Sequence, residues 1–221
     1  MAAAAVVPHA DPQLPRALEQ LEQYQLLVLT SQEAVAQLAY RAQALGVRLP
    51  SYRGQVAVVG EATRRAVERI GLAVSITPEA GFSQAGLIQA LSDCPLEGWR
   101  VLWPRGDRAA PHLAQALRER GAMVDEVVVY RTEPRPLSSQ RRADLREGRV
   151  RAVVYTAPSQ VEFLCQQLDP AERKALGQTL AFSIGPETSR ALARWHLPPV
   201  GEAWPSTFAK LAELVRDHLL H

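Results

Sequence analysis

Two stretches of this sequence occur twice, in the same order and with nearly the same spacing. LVLTSQEAV at residues 27–35 returns as VVYTAPSQV at 153–161, and VVGEAT at 58–63 returns as SIGPET at 183–188. Thr30 therefore matches Thr156, 126 residues later, and Gly60 matches Gly185, 125 residues later. A duplication constrains the architecture more than any single motif does, and this one predicts two similar modules in one chain.

Short apolar runs alternate with amphipathic stretches along most of the chain, which is typical of an α/β fold with parallel sheets and crossover helices. In the first module, the predicted strands cover 26–29, 56–59, 73–76, 100–103 and 124–130. The predicted helices cover 32–44, 62–70, 84–91 and 110–120. Five strands with their helices make a complete flavodoxin-like domain, which we place at 13–130.

The second module follows RTEPRP at 131–136, which predicts an extended linker because residues before proline avoid helical geometry. The predicted strands cover 152–155, 180–184 and the surroundings of 199–200. The predicted helices cover 138–147, 158–168, 186–195 and 206–219. Only three strands are predicted, so this flavodoxin-like domain, 131–221 with a remnant at 1–12, is expected to be incomplete.

The missing part has a counterpart at the start of the chain. VVYRTEP at 128–134 resembles VVPHADP at 6–12, in each case a strand that enters a proline-bounded linker. We therefore expect a discontinuous second domain, joined to the first by two linker strands, whose opening β-α-β unit precedes residue 1. Such a unit needs about 30 residues, so the chain is expected to be truncated or to have a misassigned start.

Composition excludes several classes of protein. Apolar residues make up 47% of the 221 residues, which argues against disorder, and a formal net charge of +2 argues against a strongly basic nucleic-acid binder. Residues 1–7 lack the basic region of a signal peptide, and no apolar run is long enough to span a bilayer. Cys94 and Cys165 stand alone, as expected of reduced thiols in a cytoplasmic protein.

Parallel α/β sheets bind ligands beyond the carboxyl ends of their strands, where helix N-termini present free amides. The repeated motifs fall at these places, and they supply candidate binding residues at matched positions: Thr30, Ser31, Gly60 and Thr63 in the first module, and Thr156, Ser159, Gly185 and Thr188 in the second. Each one alone is equally an ordinary helix cap or turn. The duplication favours binding, because it would line both edges of one shared cleft alike.

Arg105, in WPRGD at 103–107, follows a predicted strand and is either an anion-binding residue or a solvated loop arginine. The arginine-rich stretch at 141–151 is interpreted as a charged helix face, since no aromatic residues interleave it as in a nucleic-acid site. No nucleophile triad, metal-ligand spacing or phosphate loop is found in the sequence.

With these motifs the chain resembles the uroporphyrinogen-III synthase family. The family pattern reads approximately FTS-x-x-A-V, V-G-x-x-T, a strand ending in V-Y, FTSPS-x-V and I-G-P-x-T. The corresponding segments here are LTSQEAV at 29–35, VGEAT at 59–63, VY at 129–130, YTAPSQV at 155–161 and IGPET at 184–188. Each motif alone is weak, but five in order over residues 6–221 are fairly specific.

The resemblance implies two flavodoxin-like domains on a two-strand linker, in a monomeric cytoplasmic enzyme that needs no cofactor and no metal. It implies a linear tetrapyrrole with eight carboxylates, hydroxymethylbilane, as substrate, received in a transient hand-over from the enzyme that forms it. The reaction would be loss of water and closure to uroporphyrinogen III with inversion of the terminal ring. Tyr130 matches the tyrosine that assists hydroxyl departure in the family; alternatively, it packs in the linker.

Two residues depart from the family pattern. Ala157 replaces the usual serine of the second FTS-like motif, which removes a hydroxyl from the expected site, and His196 replaces the glycine found as Gly71 in the first module. His196 is expected to alter only a helix end. Ala157 and the missing unit leave open a non-catalytic tetrapyrrole- or anion-binding clamshell module, and a third alternative is a generic two-domain binder or regulator that recognises small molecules.

Overall fold

The computed structural model describes residues 3–79 and 83–220, which form two compact α/β units. The first unit is Val6–Arg131, and the second combines the chain start up to Ala5 with the segment from Thr132 onward. The predicted α/β class, with parallel sheets and crossover helices, is confirmed. Within the described residues, no helix is long and apolar enough to cross a membrane.

The larger sheet has the strand order β1-β5-β4-β2-β3. Its strands are β1 (Ala4–Pro8), β2 (Leu26–Leu29), β3 (Gln55–Val58), β4 (Arg100–Gly106) and β5 (Met123–Pro134). The pairs β2–β3, β2–β4 and β4–β5 are parallel. β1 is antiparallel to β5, because the His9 N–H donates to the Val129 carbonyl and the Arg135 N–H donates to the Ala3 carbonyl.

Five helices cover the two faces of this sheet: α1 (Gln13–Glu19), α2 (Gln32–Ala44), α3 (Glu61–Arg69), α4 (Gln84–Ala90) and α5 (His112–Glu119). The central strand β2 shows why both faces need cover, because all four of its residues are fully buried. Leu27 and Leu29 pack into the core with α1–α3, whereas Leu26 and Val28 pack into a second core with α4 and α5. A strand that is buried on both faces is typical of a parallel sheet between helical layers.

The chain passes from one side of β2 to the other. It first forms β3 beside β2 and then crosses to β4 and β5 on the opposite side. The order reverses between β2 and β4, and in open parallel sheets ligands bind beyond the carboxyl ends of the strands at such a reversal. The carboxyl end of β2 is therefore the place to look for a site in this unit.

The second unit has a smaller parallel sheet with the order β6-β7-β8. Its strands are β6 (Ala152–Tyr155), β7 (Leu180–Ser183) and β8 (Gly201–Glu202), and its helices are α6 (Ser139–Arg146), α7 (Pro158–Gln167), α8 (Pro170–Leu176), α9 (Pro186–Arg194) and α10 (Phe208–Leu220). Ala181 packs into a core with α6–α9, while Phe182 packs with α10 on the other face.

Most predicted elements lie within two residues of the observed ones. Strands β4 and β5 continue to Gly106 and Pro134, past the predicted ends at 103 and 130, and helix α1 was not predicted. Three other regions also differ from the prediction. The predicted strand at 73–76 forms only one bridge, between Ile76 and Ala57. The strand predicted around 199–200 lies at Gly201–Glu202 instead, because prolines at 198 and 199 have no N–H to donate. The predicted helix at 158–168 is followed by a second helix, α8, which the prediction missed.

A buried ionic cluster holds α8 against α6. The Glu172 side chain is fully buried and lies 2.6 Å from an Arg142 guanidinium nitrogen and 2.9 Å from one of Arg146. Glu172 also forms a capping box with Asp169, in which each backbone N–H donates to the other side chain. This carboxylate therefore accepts charged and neutral donors at once, which offsets the cost of its burial.

Replacing Glu172 by Ala is expected to lower the free energy of unfolding by about 2 kcal/mol, because both arginines and the Asp169 N–H lose their acceptor. Arg194→Ala, which removes an exposed ion pair with Glu162 in the same unit, is expected to cost less than about 0.5 kcal/mol. Urea denaturation of the three proteins measures the difference. Equal losses in the two variants would contradict the account.

Candidate functional site

Ser31 links the end of β2 to the start of α2 and to Tyr130. It is the N-cap of α2, and its Oγ accepts the N–H of Ala34 at 3.1 Å. The same Oγ lies 3.2 Å from the Tyr130 hydroxyl oxygen, which comes from β5, 99 residues away. The structure therefore brings together two residues that the sequence proposed separately, one for binding and one for catalysis.

Tyr130 lies directly over Gly106, at the end of β4. A Cβ on Gly106 would fall 2.6 Å from two ring carbons of Tyr130, so no larger residue fits there without moving the ring. The register of β4 with β5 shifts between Arg105 and Gly106, and the Asp107 N–H donates to the Tyr130 carbonyl at 3.1 Å. Gly106 was not among the predicted site residues, although a glycine at the end of a strand is a known sign of close approach between backbone and a neighbouring group.

Thr30 is held by a buried tryptophan. The Trp103 indole N–H donates to the Thr30 hydroxyl oxygen at 3.3 Å, and the Trp103 side chain is fully buried. This bond fixes the threonine side chain at the carboxyl end of β2. Trp103 was not predicted as a site residue, since a tryptophan at the end of a predicted strand is most often part of the core.

Arg105 already has an anionic partner in the structure. Its Nε lies 2.9 Å from a Glu126 carboxylate oxygen, and both side chains are 19% exposed. Another guanidinium N–H donates to the Gly106 carbonyl at 3.0 Å. A substrate carboxylate at Arg105 would therefore have to compete with Glu126, so the predicted anion-binding role stays a prediction.

The first predicted glycine turn begins α3. Gly60 is the N-cap and provides no side-chain hydrogen bond, so amides of the first turn are left for solvent or a ligand. Thr63 lies at the third position of this helix and is 5% exposed. In the second unit, Gly185 likewise caps α9 without a side-chain bond, and Thr188 is 2% exposed. Here, however, Pro186 has no N–H and the Thr188 N–H donates to the Gly185 carbonyl at 3.1 Å, so α9 leaves fewer free amides than α3.

The second unit differs from the first at its other motif. Ala157 occupies the N-cap of α7, where α2 has Ser31, and it supplies no side-chain bond. Pro158 follows at the first helical position and has no N–H that needs an acceptor. The Thr156 N–H and hydroxyl both donate to the Gln160 side-chain oxygen, at 2.9 and 3.2 Å, and Ser159 is 9% exposed.

Solvent access separates two tyrosines at strand ends. Tyr155, next to Thr156, is only 2% exposed, and burial raises the pKa of its phenol well above the ordinary value. Tyr130 is half-buried and therefore retains solvent contact. Tyr130 is thus the better placed of the two to meet a ligand. No group of three or more His, Cys, Asp or Glu in the described part of the chain could hold a metal ion.

Both the sequence and the fold of this chain have relatives among known proteins. The family model for uroporphyrinogen-III synthase HemD matches residues 2–213. A protein of Methanothermobacter thermautotrophicus, whose own assignment as a uroporphyrinogen-III synthase is provisional, is 33% identical over 178 residues. That alignment covers 77% of this chain and 69% of the relative.

Solved structures of uroporphyrinogen III synthases share the fold. A mutant of the Thermus thermophilus enzyme superposes with a TM-score of 0.73 at 24% identity, covering 99% of this chain and 87% of the other. The Helicobacter pylori protein superposes with a TM-score of 0.66 at 18% identity, covering 97% and 90%. The resemblance found in the five motifs is confirmed: the chain belongs to the uroporphyrinogen-III synthase family.

Proposed function

We propose that this protein cyclises hydroxymethylbilane to uroporphyrinogen III, with loss of water and inversion of the terminal pyrrole ring. The observation that carries the proposal is the contact between Ser31 and Tyr130, 3.2 Å between their oxygens, at the carboxyl edge of the larger sheet. This contact supports the proposal, because the resemblance implies that the tyrosine at this position assists hydroxyl departure. Membership of the family supports a role in tetrapyrrole biosynthesis.

The hydrogen bonds around Ser31 determine which protons are available. Its oxygen already accepts the Ala34 N–H, so its own proton is free to be donated to the Tyr130 oxygen. The Tyr130 hydroxyl proton can then be donated to the leaving hydroxyl of the bilane. Departure of water leaves an electrophilic azafulvene, and the substituted carbon of the last ring attacks it to give a spiro intermediate. This intermediate fragments and recloses with the last ring inverted, and the proton that the ring loses on closure balances the proton that Tyr130 donated.

The remaining task is to impose one geometry. Without an enzyme the bilane closes to the uninverted type I isomer, so catalysis depends on positioning, which supplies several kcal/mol. The start of α3 has no side-chain cap, so its first-turn amides can meet carboxylates of the substrate. Thr63 and Thr188 are buried, so their hydroxyls do not face solvent in this structure, and their contact with the substrate stays a prediction. Helix N-termini favour anions without a formal positive charge, which suits a chain of net charge +2 with a polyanionic substrate.

The proposal extends to the class and setting of the enzyme. We place it among hydro-lyases that work as cytoplasmic monomers without a cofactor, and that receive the unstable bilane by transient hand-over from the enzyme that makes it. Two features support this setting. Both cysteines, Cys94 and Cys165, are free thiols, as is usual in a reducing compartment, and positioning alone accounts for the chemistry.

A non-catalytic tetrapyrrole-binding module is the second candidate, and Ala157 is the observation that favours it. The helix start that has a serine hydroxyl in the first unit has none in the second, so the second unit offers one polar group fewer. Such a module would bind the bilane but would leave its closure to the spontaneous reaction. The two candidates differ in the isomer of the product.

Tyr130→Phe is expected to lower kcat for type III formation about 10- to 100-fold, because the variant keeps the ring over Gly106 but loses the proton donor. KM is expected to change less than about twofold. The assay supplies hydroxymethylbilane and separates the isomers by chromatography. Tyr155→Phe, which changes a buried phenol in the other unit, is the matched control. Equal kcat values for Tyr130→Phe and wild type would assign Tyr130 to packing.

Ser31→Ala is expected to lower kcat about 5- to 10-fold and the free energy of unfolding by about 1 kcal/mol, since both the Tyr130 contact and the α2 cap are lost. Ser31→Thr keeps a hydroxyl and a cap, so it should restore most of both quantities. Ser138→Ala removes another N-cap, at α6, and should affect stability only. An unchanged kcat in Ser31→Ala would leave the serine with a capping role alone.

A further inference from the structure

Two large aromatic side chains in the second unit stand in solvent. Trp204 is 80% exposed although it follows the buried Ala203, and Phe208 is 72% exposed although the buried Leu211 lies three residues further on. Ala203 is 2% exposed and Leu211, one turn along α10, is 3% exposed, and both pack against Phe182. Ala203 and Leu211 are therefore part of the core, whereas the rings of Trp204 and Phe208 are not. We call these two rings the aromatic pair.

The aromatic pair lies at the carboxyl edge of the smaller sheet. Trp204 follows the end of β8 by two residues, and Phe208 is the first residue of α10. The Ala203 N–H donates to the carbonyl of Ser183, the last residue of β7, at 3.0 Å. The segment that carries both rings is thus fastened to the same strand end from which the Gly185 turn departs.

Ser206 connects the aromatic pair to that turn. A Cβ on Gly185 would fall 2.4 Å from the Ser206 hydroxyl oxygen, so the segment between the two rings lies directly on the glycine. Thr207 accepts the Lys210 N–H through its hydroxyl and thereby caps α10. Ser206, which lies between the two aromatic residues in the sequence, therefore contacts the turn that leads to Thr188.

We propose that the aromatic pair is a stacking site for one pyrrole ring of the substrate, with Trp204 as the main contact and Ser206 beside the acidic side chains of that ring. This inference rests on the proposed function, since it names a subsite for the same bilane. A pyrrole bearing carboxylates needs a flat apolar surface and polar groups at its rim, and this segment offers both. Aromatic pairs prefer offset or edge-on contacts, which an exposed indole permits.

A macromolecular partner suits this surface less well. Pro205, Ser206 and Thr207 between the rings are exposed and small or polar, and Lys210, one turn further on, is exposed and paired with Glu213. Two rings in polar surroundings fall far short of the apolar centre of a stable protein interface, which buries roughly 800 Å² on each partner. A small planar ligand needs only the rings and a few hydrogen-bonding groups.

The test compares three substitutions of one residue. Trp204→Ala removes the ring and its area, Trp204→Leu keeps apolar area without a ring, and Trp204→Phe keeps a ring. We expect KM for hydroxymethylbilane to rise about threefold to tenfold in Trp204→Ala and Trp204→Leu, and to stay within about twofold in Trp204→Phe. Values of kcat should change little, and thermal unfolding should be unaffected because the side chain is exposed.

Fluorescence gives a readout that does not need turnover. Trp204 is the exposed member of four tryptophans, since Trp103 is fully buried and Trp99 and Trp195 are partly buried. The difference between wild type and Trp204→Phe therefore isolates its emission. A monopyrrole with one acetate and one propionate side chain, added in excess, should protect this emission from acrylamide quenching.

Each outcome separates this subsite from the proposed function. If wild type forms type III and Trp204→Ala keeps the wild-type KM, the subsite is overturned while the function stands. If wild type forms no type III but the monopyrrole still protects Trp204, the ring site is supported and the synthase function fails. Loss of self-association in Trp204→Ala, seen by sedimentation with an unchanged KM, would show that the rings contact a second copy and would also overturn the subsite.

Discussion

The structure of the larger unit depends on the burial of β2 from both sides. Leu26 and Val28 face one core and Leu27 and Leu29 face the other, so helices must cover the whole of both faces. A sheet covered in this way leaves only its edges for ligands. The strand order of the sheet reverses beside β2, and Ser31 lies two residues after the end of β2, at the carboxyl edge of the sheet. The position of the candidate site is thus a consequence of how the core is built.

At that edge, the chemistry follows from a small number of hydrogen bonds. Ser31 accepts one backbone N–H and touches one phenol, and Gly106 provides the space in which the ring of Tyr130 lies. Trp103 fixes Thr30 in the same way from inside the core. Core packing and hydrogen bonds to neighbouring groups therefore hold the side chains that would contact the substrate. An enzyme that works by imposing one geometry requires such fixed side chains.

Sequence periodicity predicted the elements whose signals are local. The run at 26–29 is bounded by Thr30 and Ser31, and its strand was predicted to the residue. Helix α8 was not predicted, although Asp169 and Glu172 have the spacing of a capping box and Pro170 suits a first helical position. The strand predicted at 73–76 pairs at one residue only, which no local pattern reveals.

Contacts between residues far apart in the sequence limited how much of the candidate site could be predicted. The repeat identified the residues at the strand ends, but the pair of Arg105 with Glu126 depends on the register of β4 with β5, which places these side chains diagonally opposite. The close approach of Tyr130 to Gly106 likewise joins residues from two strands. The candidate polar residues could be predicted from the sequence. Which of them already have hydrogen-bond or ion-pair partners is visible only in the structure.

The most direct measurement supplies the purified protein with freshly prepared hydroxymethylbilane and resolves the product isomers by chromatography. A ring-inverting synthase yields type III uroporphyrinogen above the spontaneous background, and this is the result that the account predicts. Type I alone, from a protein that unfolds cooperatively, would contradict it and would favour a module that binds the bilane without directing its closure.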